Sequence, residues 1–152
     1  MFHPLRKLIR PKPKVKFLHP VFGELLLEQG AKGPYWLHEA LSDGDLAISI
    51  DTTGDEAPTG SQVSFYRQII GDQDAAYRLV QAALASEHEK LQGRSAAIVW
   101  KETFRLAGIG VPLNGAMSNR WDMTFECLTD NCGFLYTCYF ESGVLARIGV
   151  DT

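Results

Sequence analysis

The residues best suited to chemistry are a group of carboxylates around position 50. Five acidic residues lie close together there: Asp43, Asp45, Asp51, Asp55 and Glu56. Oxygen-rich loops of this kind bind calcium or magnesium when the ligands follow a fixed order. The twelve-residue order of an EF-hand is missing, and so is the second aspartate motif of an aspartic protease. We therefore predict a turn and a solvated acidic loop, with no metal and no cofactor.

The thiols and imidazoles are the next candidates for a site. Cys127, Cys132 and Cys138 are an odd number of cysteines, which indicates free thiols in a reducing compartment. Structural zinc usually takes four ligands in two closely spaced pairs, and no histidine lies near these thiols in the sequence. The four histidines are scattered, so none has a partner at ligand spacing. We predict no catalytic residue, and hence a protein that is not an enzyme.

Charge is distributed unevenly along the chain. The net charge is −3, but six of the fifteen basic residues fall within the first sixteen positions, before any acidic residue. The remainder holds nine basic and eighteen acidic residues, a balance of −9, which disfavours nucleic acid and favours basic partners. We predict a basic flexible arm at residues 1–18 and a single domain at residues 19–152. With no apolar run near the roughly 20 residues of a membrane span and no secretory signal, we expect a cytoplasmic protein.

The elements that must position these residues begin with three strands. Residues 20–28, 34–39 and 45–51 are short apolar or alternating runs bounded by glycine and turn-forming residues, which predicts an antiparallel meander. Residues 52–58 have the composition of a loop. The acidic group is therefore expected at the end of the third strand.

A helical region follows the loop. Thr59 and Gln62 have the spacing of a helix capping box. Gly71 beside Asp72 marks a weak point, with Asp72 suited to cap a second helix, and we predict one helix that continues through it. A shorter helix is predicted at residues 96–107. The long helix is indicated by apolar residues at steps of three, four or seven: Tyr66, Ile69, Ile70, Tyr77, Val80 and Leu84.

The C-terminal third has the period of strands. Residues 121–127 alternate strictly between apolar and polar types, and residues 134–140 and 145–150 follow after turn-forming segments. Strands at both ends of the chain, with helices between them, predict an α+β fold. We expect a mostly antiparallel sheet built from N- and C-terminal meanders, with one long and one shorter helix packed on one face.

Several short sequence segments resemble those of a protein family. The segments 19–25 and 121–127 and the closing Val150-Asp151 resemble a group of small bacterial proteins. These open with a Pro-Val-Phe-Gly strand and close with a Trp-Asp strand and an aromatic hairpin. Some members sit beside contact-dependent or type VI secreted toxins. The resemblance implies an immunity protein, and it brings no catalytic residues with it.

The leading hypothesis is thus a non-catalytic protein-binding protein, such as an immunity protein that occludes the active site of a cognate toxin with a basic cleft. Acidic side chains on a rigid sheet can meet such a cleft in place of substrate phosphates. The predicted contact residues are Asp51, Asp55 and Glu56 in the acidic loop, Asp130 in a turn, and Trp36 at an edge expected to be partly exposed.

Two alternatives stay open from the sequence. One is an enzyme or small-ligand-binding protein whose site assembles from distant residues such as Asp51, His38 and Cys132, because active sites are defined by geometry rather than spacing. The other is a scaffold module that pairs through an exposed strand edge. A polar pocket that gathers such residues would favour the first alternative.

Overall fold

Eight strands form one sheet in the computed structural model, which describes residues 13–42, 44–93, 98–129 and 133–151. The order of the strands across the sheet is their order in the chain. The strands are β1 (Lys16–His19), β2 (Gly23–Gly30), β3 (Gly33–His38), β4 (Ala47–Asp51), β5 (Phe104–Val111), β6 (Trp121–Cys127), β7 (Leu135–Glu141) and β8 (Val144–Asp151).

The sheet consists of two meanders joined in the middle. Strands β1 to β4 pair antiparallel with one another, and so do β5 to β8. The junction is a parallel pair, in which Ala47 to Ile50 of β4 lie beside Gly108 to Val111 of β5. A parallel pair needs a long crossover, and the helices between β4 and β5 provide it. The predicted α+β class and mostly antiparallel sheet are confirmed.

The described part of the crossover contains four α-helices: α1 (Gly60–Gly71), α2 (Gln73–Arg78), α3 (Gln81–Gln92) and α4 (Trp100–Thr103). The predicted capping box is present, because the backbone N–H groups of Thr59 and Gln62 each donate to the other residue's side chain. The prediction of one long helix was wrong. Asp72 leaves helical geometry and its carboxylate accepts from the N–H of Ala75, which begins a new helix.

The predicted helix at residues 96–107 was also wrong. Only α4 is helical in that stretch, residues 94–97 lie outside the described residues, and β5 starts at Phe104. Strand β5 lies between β4 and β6, and its apolar side chains at Phe104, Leu106, Ile109 and Val111 are buried. A register shift between Leu106 and Gly108 interrupts the alternation, so the sequence does not show a clean period of two.

All four helices pack on one face of the sheet, where the core lies. Phe65 of α1 meets the ring of Trp121 at 5.0 Å between centroids, and Tyr77 of α2 stacks on Trp100 of α4 at 4.7 Å. His88 of α3 lies 5.3 Å from the ring of Phe104. Within the described ranges, no helix covers the opposite face, which we call the open face.

The N-terminal boundary of the sheet differs from the predicted one. Strand β1 lies inside the segment expected to be a flexible arm, because Lys16, Phe17 and Leu18 pair with β2. Residues 1–12 of that arm lie outside the described residues. Among the described helices, none is long and apolar enough to cross a membrane.

Candidate functional site

The acidic residues at the end of β4 form the first half of the candidate site. Asp51 is the last residue of β4, and Asp55 and Glu56 follow in an irregular segment that leads to α1. All three residues are exposed. We call residues 51–56 the acidic loop. It presents three carboxylates within six positions at one end of the sheet.

A hydrogen bond from Trp36 fixes the C-terminal end of the acidic loop. Its indole N–H donates to the carbonyl oxygen of Glu56 at 2.7 Å, and the hydroxyl of Thr52 donates to the same oxygen at 3.1 Å. The side chain of Trp36 is only 2% exposed, so the expectation of a partly exposed edge was wrong. Its flanking Gly33, Pro34 and Tyr35 did not reveal that Trp36 packs into the core, beside the ring of Phe17. Trp36 therefore fixes the loop and leaves the contact surface to its neighbours.

Gln62 fastens the other end of the acidic loop. Its amide NH₂ donates to the carbonyl oxygens of Asp51 at 2.7 Å and of Pro112 at 3.1 Å, and its amide oxygen accepts from the N–H of Thr59 at 3.0 Å. The residue is 3% exposed, so these bonds are formed away from water. One side chain thus joins the ends of β4 and β5 to the start of α1, and the backbone of the acidic loop is held at both ends.

The open face supplies the second half of the site. One row of paired residues crosses it from β4 to β8: Ser49, Gly110, Asp122, Tyr139 and Arg147. A neighbouring row contains Ala47, Gly108, Thr124 and Thr137. Both rows have glycine on β5, so β5 contributes no side chain to the open face at these two positions. Two depressions of about 110 and 190 Å³ meet there at Ser49 and Asp122. We call this channel the β5 groove.

Two carboxylates lie in the β5 groove. Desolvation raises the pKa of Asp122, the negative charge of Asp51 raises it further, and Lys32 opposes both effects. Asp51 keeps an exposed edge, yet burial of its carboxyl raises its pKa as well, again against Lys32. Among the described side chains, neither carboxylate takes part in an ion pair or accepts a hydrogen bond.

Three cations line the first depression: Lys32 acts on both carboxylates, whereas Arg120 and Arg147 have contacts elsewhere. The Nε of Arg120 lies 3.3 Å from a carboxylate oxygen of Glu141, and the guanidinium of Arg147 lies 3.8 Å above the centre of the Tyr139 ring. Both contacts are exposed or half-buried, so each is weak. They leave these two positive groups in the lining of the depression, together with Lys32 and the two carboxylates.

The structure does not bring together Asp51 and His38, the two described residues of the alternative site. His38 pairs opposite Ile48, whereas Asp51 pairs opposite Tyr35, so the two lie three positions apart along the ladder and on opposite faces. Cys132 lies outside the described residues. Within the described ranges, no group of three histidine, cysteine or acidic side chains is arranged to hold a metal ion.

Two cysteines are buried in the core. Cys127 lies 4.0 Å from Nδ1 of His88, which in turn lies 3.3 Å from the hydroxyl of Tyr136. Burial raises the pKa of Cys138 to about 12. A thiol with that pKa is protonated at neutral pH and is a poor nucleophile.

Sequence reasoning found the acidic loop and missed the groove. Asp55 and Glu56 lie where they were expected, and Asp130 lies outside the described residues. Asp122 was recognised only as a polar position of an alternating strand. The helix predicted at residues 96–107 placed Gly108 just after its end, and Gly108 and Gly110 were not predicted to share a sheet face. The groove could have been predicted from the alternation of Gly108 and Gly110 with Ile109 and Val111. This pattern is typical of a strand that has no side chains on one face.

No known protein family, no curated protein and no solved structure matches this chain.

Proposed function

We propose that this chain is a non-catalytic protein-binding protein and that the acidic loop is its recognition surface for a basic partner. The observation that carries the proposal is a loop with exposed carboxylates and a fixed backbone. Glu56 is held through its carbonyl by Trp36, and Asp51 is held through its carbonyl by Gln62. The side chains of Asp55 and Glu56 are left to face solvent, and that of Asp51 lines the adjoining β5 groove.

A fixed backbone favours binding because less conformational freedom is lost in the complex. Ordering a mobile loop costs roughly 1–2 kcal/mol per residue in backbone entropy. The hydrogen bonds of Trp36, Thr52 and Gln62 impose that order before a partner arrives. Carboxylates held in this way attract a positively charged surface over long range and exclude partners of like charge.

The partner we propose is a secreted bacterial toxin whose cleft is basic, with this chain acting as its cytoplasmic immunity protein. A cleft that binds a phosphorylated substrate must be positively charged. Carboxylates that enter it replace the phosphates and block the cleft. The resemblance carried by segments 19–25 and 121–127 supports this choice, as does the excess of acidic residues after position 16.

The test is calorimetry with the protein encoded by the adjacent gene. We expect the double variant Asp55→Lys with Glu56→Lys to bind at least about tenfold more weakly than the wild type, since charge-pair losses at interfaces reach this size. The matched control is Glu89→Lys with Glu102→Lys. Both control residues are exposed and outside the described ion pairs, and they lie beyond the opposite end of β5 from Asp51. The control makes the same change in net charge, so it isolates the effect of position.

Two outcomes would contradict the proposal. Wild-type protein that does not bind the adjacent gene product removes the immunity assignment. Equal weakening by the two double variants shows that only overall charge matters, and it removes the acidic loop as the recognition surface. The fold is expected to survive in both variants because the substituted side chains are exposed.

A further inference from the structure

The two edge strands of the sheet differ in how well they are protected. Strand β1 has four residues, follows Pro13, and has Lys14 and Lys16 in ion pairs with side chains of β2. A short edge with lysine and proline discourages the addition of another strand. Strand β8 has eight residues with neither lysine nor proline, and β7 is its only neighbour among the described strands. The outer side of β8 is therefore the edge that can accept another strand.

Residues 147–151 are the regular part of β8. They pair with β7 without interruption, and the register shift of this strand pair lies before them. The side chains of Ile148 and Val150 lie on the core side and are half-buried. Those of Arg147 and Asp151 are exposed on the open face. The segment thus offers an apolar pair on one face and an opposite-charge pair on the other.

This segment is complementary to itself when two copies run antiparallel about Gly149. Arg147 of one copy then lies opposite Asp151 of the other, and Ile148 lies opposite Val150. Opposite charges and apolar side chains that face each other directly across a strand pair stabilise it. Centring the pair on Arg147 instead would place two guanidinium groups opposite each other. The charges therefore select the register centred on Gly149.

A depression beside β8 has room for apolar side chains of a second copy. It measures about 300 Å³ and lies between α3 and β8, where α3 presents the small side chains of Ala83 and Ser86. Ile148 is part of its lining. In the antiparallel pair, Ile148 and Val150 of the second copy lie on the same side of the sheet as this depression. Burial of apolar side chains there would add to the backbone hydrogen bonds of the paired strands.

We propose that β8 pairs antiparallel with β8 of a second copy of this chain, centred on Gly149, and joins the described strands of both copies into one sheet. The guanidinium of Arg147 lies over the ring of Tyr139 in the single chain, and this exposed contact is weak enough for Arg147 to turn towards Asp151 of the second copy. The inference goes beyond the proposed function. Strand β8 lies four strands from β4, roughly 19 Å away, so the acidic loop stays exposed in the dimer.

Sedimentation equilibrium of the full chain measures the pairing, and charge reversal tests its register. Asp151→Arg and Arg147→Asp each place like charges opposite each other at two positions, so we expect either variant to raise the dissociation constant of the dimer about tenfold or more. The double variant Arg147→Asp with Asp151→Arg restores opposite charges and should return the constant to that of the wild type. The matched control is Glu102→Arg, which makes the same change in charge as Asp151→Arg at an exposed position of α4 and should have no effect.

Hydrogen exchange shows whether the dimer uses this edge. Amides in residues 147–151 should gain protection in concentrated solution and lose it on dilution. Circular dichroism reports whether each variant keeps its fold, which we expect because Arg147 and Asp151 are exposed.

Three results would overturn the inference. One is a wild-type chain that stays monomeric at about 1 mM. Another is a dimer that both single reversals leave unchanged, or that the folded double variant does not restore. The third is exchange in residues 147–151 that does not depend on concentration.

Discussion

The substitution Gln62→Ala tests how firmly the acidic loop is held. It removes the three hydrogen bonds that the side-chain amide makes with the carbonyls of Asp51 and Pro112 and with the N–H of Thr59. Each bond contributes about 1 kcal/mol net, and buried groups left without partners add to the loss. We expect the free energy of unfolding to fall by about 3–4 kcal/mol, a large part of the roughly 5–15 kcal/mol of a typical domain.

Urea denaturation followed by tryptophan fluorescence measures this change. The matched control is Thr59→Ala, which removes the other half of the capping box and should cost about 1 kcal/mol. Hydrogen exchange supplies a second readout, because Gln62→Ala should speed exchange of amides in residues 51–59 more than Thr59→Ala does. A cost for Gln62→Ala no larger than that of the control would refute the idea that this residue fastens the loop.

Three further predictions concern the groove and the core. The pKa of Asp122 is raised in the folded protein, so its ionisation costs stability above the unfolded pKa, and that cost disappears as pH falls through the pKa of the folded state. By urea denaturation, Asp122→Asn should therefore be more stable than the wild type at pH 7 and equal to it near pH 4. A stability difference that is independent of pH would contradict this prediction. Gly115 has φ of +65° and lies against the backbone carbonyl of Ser61, so Gly115→Ala should lower the unfolding free energy by about 2–4 kcal/mol, whereas no measurable loss would show that α1 can shift freely. The pKa of Cys138 is about 12 and the thiol is buried, so iodoacetamide at pH 8 should leave it unmodified in native protein by mass spectrometry, and rapid labelling would argue against this packing.

The strands of the C-terminal meander were predictable because each buries one face only. In residues 121–127 every second side chain is apolar, and the structure buries those at Trp121, Met123, Phe125 and Cys127. The capping box was predictable for a similar reason, since it depends on two residues at a fixed spacing. Local chemistry decided both features, so the sequence alone was enough.

The central strand was not predictable from local chemistry. In β5 the register shift after Leu106 breaks the alternation, and glycine occupies two positions of the open face. Its parallel partner β4 lies more than fifty residues earlier in the chain, beyond the reach of periodicity. The groove depends on this strand, because Asp51 and Asp122 become neighbours only when β5 separates β4 from β6. The acidic loop is contiguous, and it was therefore found.

We propose that the acidic loop guides a basic protein partner to this end of the sheet. The association rate constant with the adjacent gene product, measured by stopped flow from low to high salt, tests this claim. We expect the wild-type rate to fall by about tenfold or more as salt screens the attraction. The Glu89→Lys with Glu102→Lys control should keep this steep dependence, and the Asp55→Lys with Glu56→Lys variant should lose most of it. The same salt dependence in all three proteins would contradict the claim.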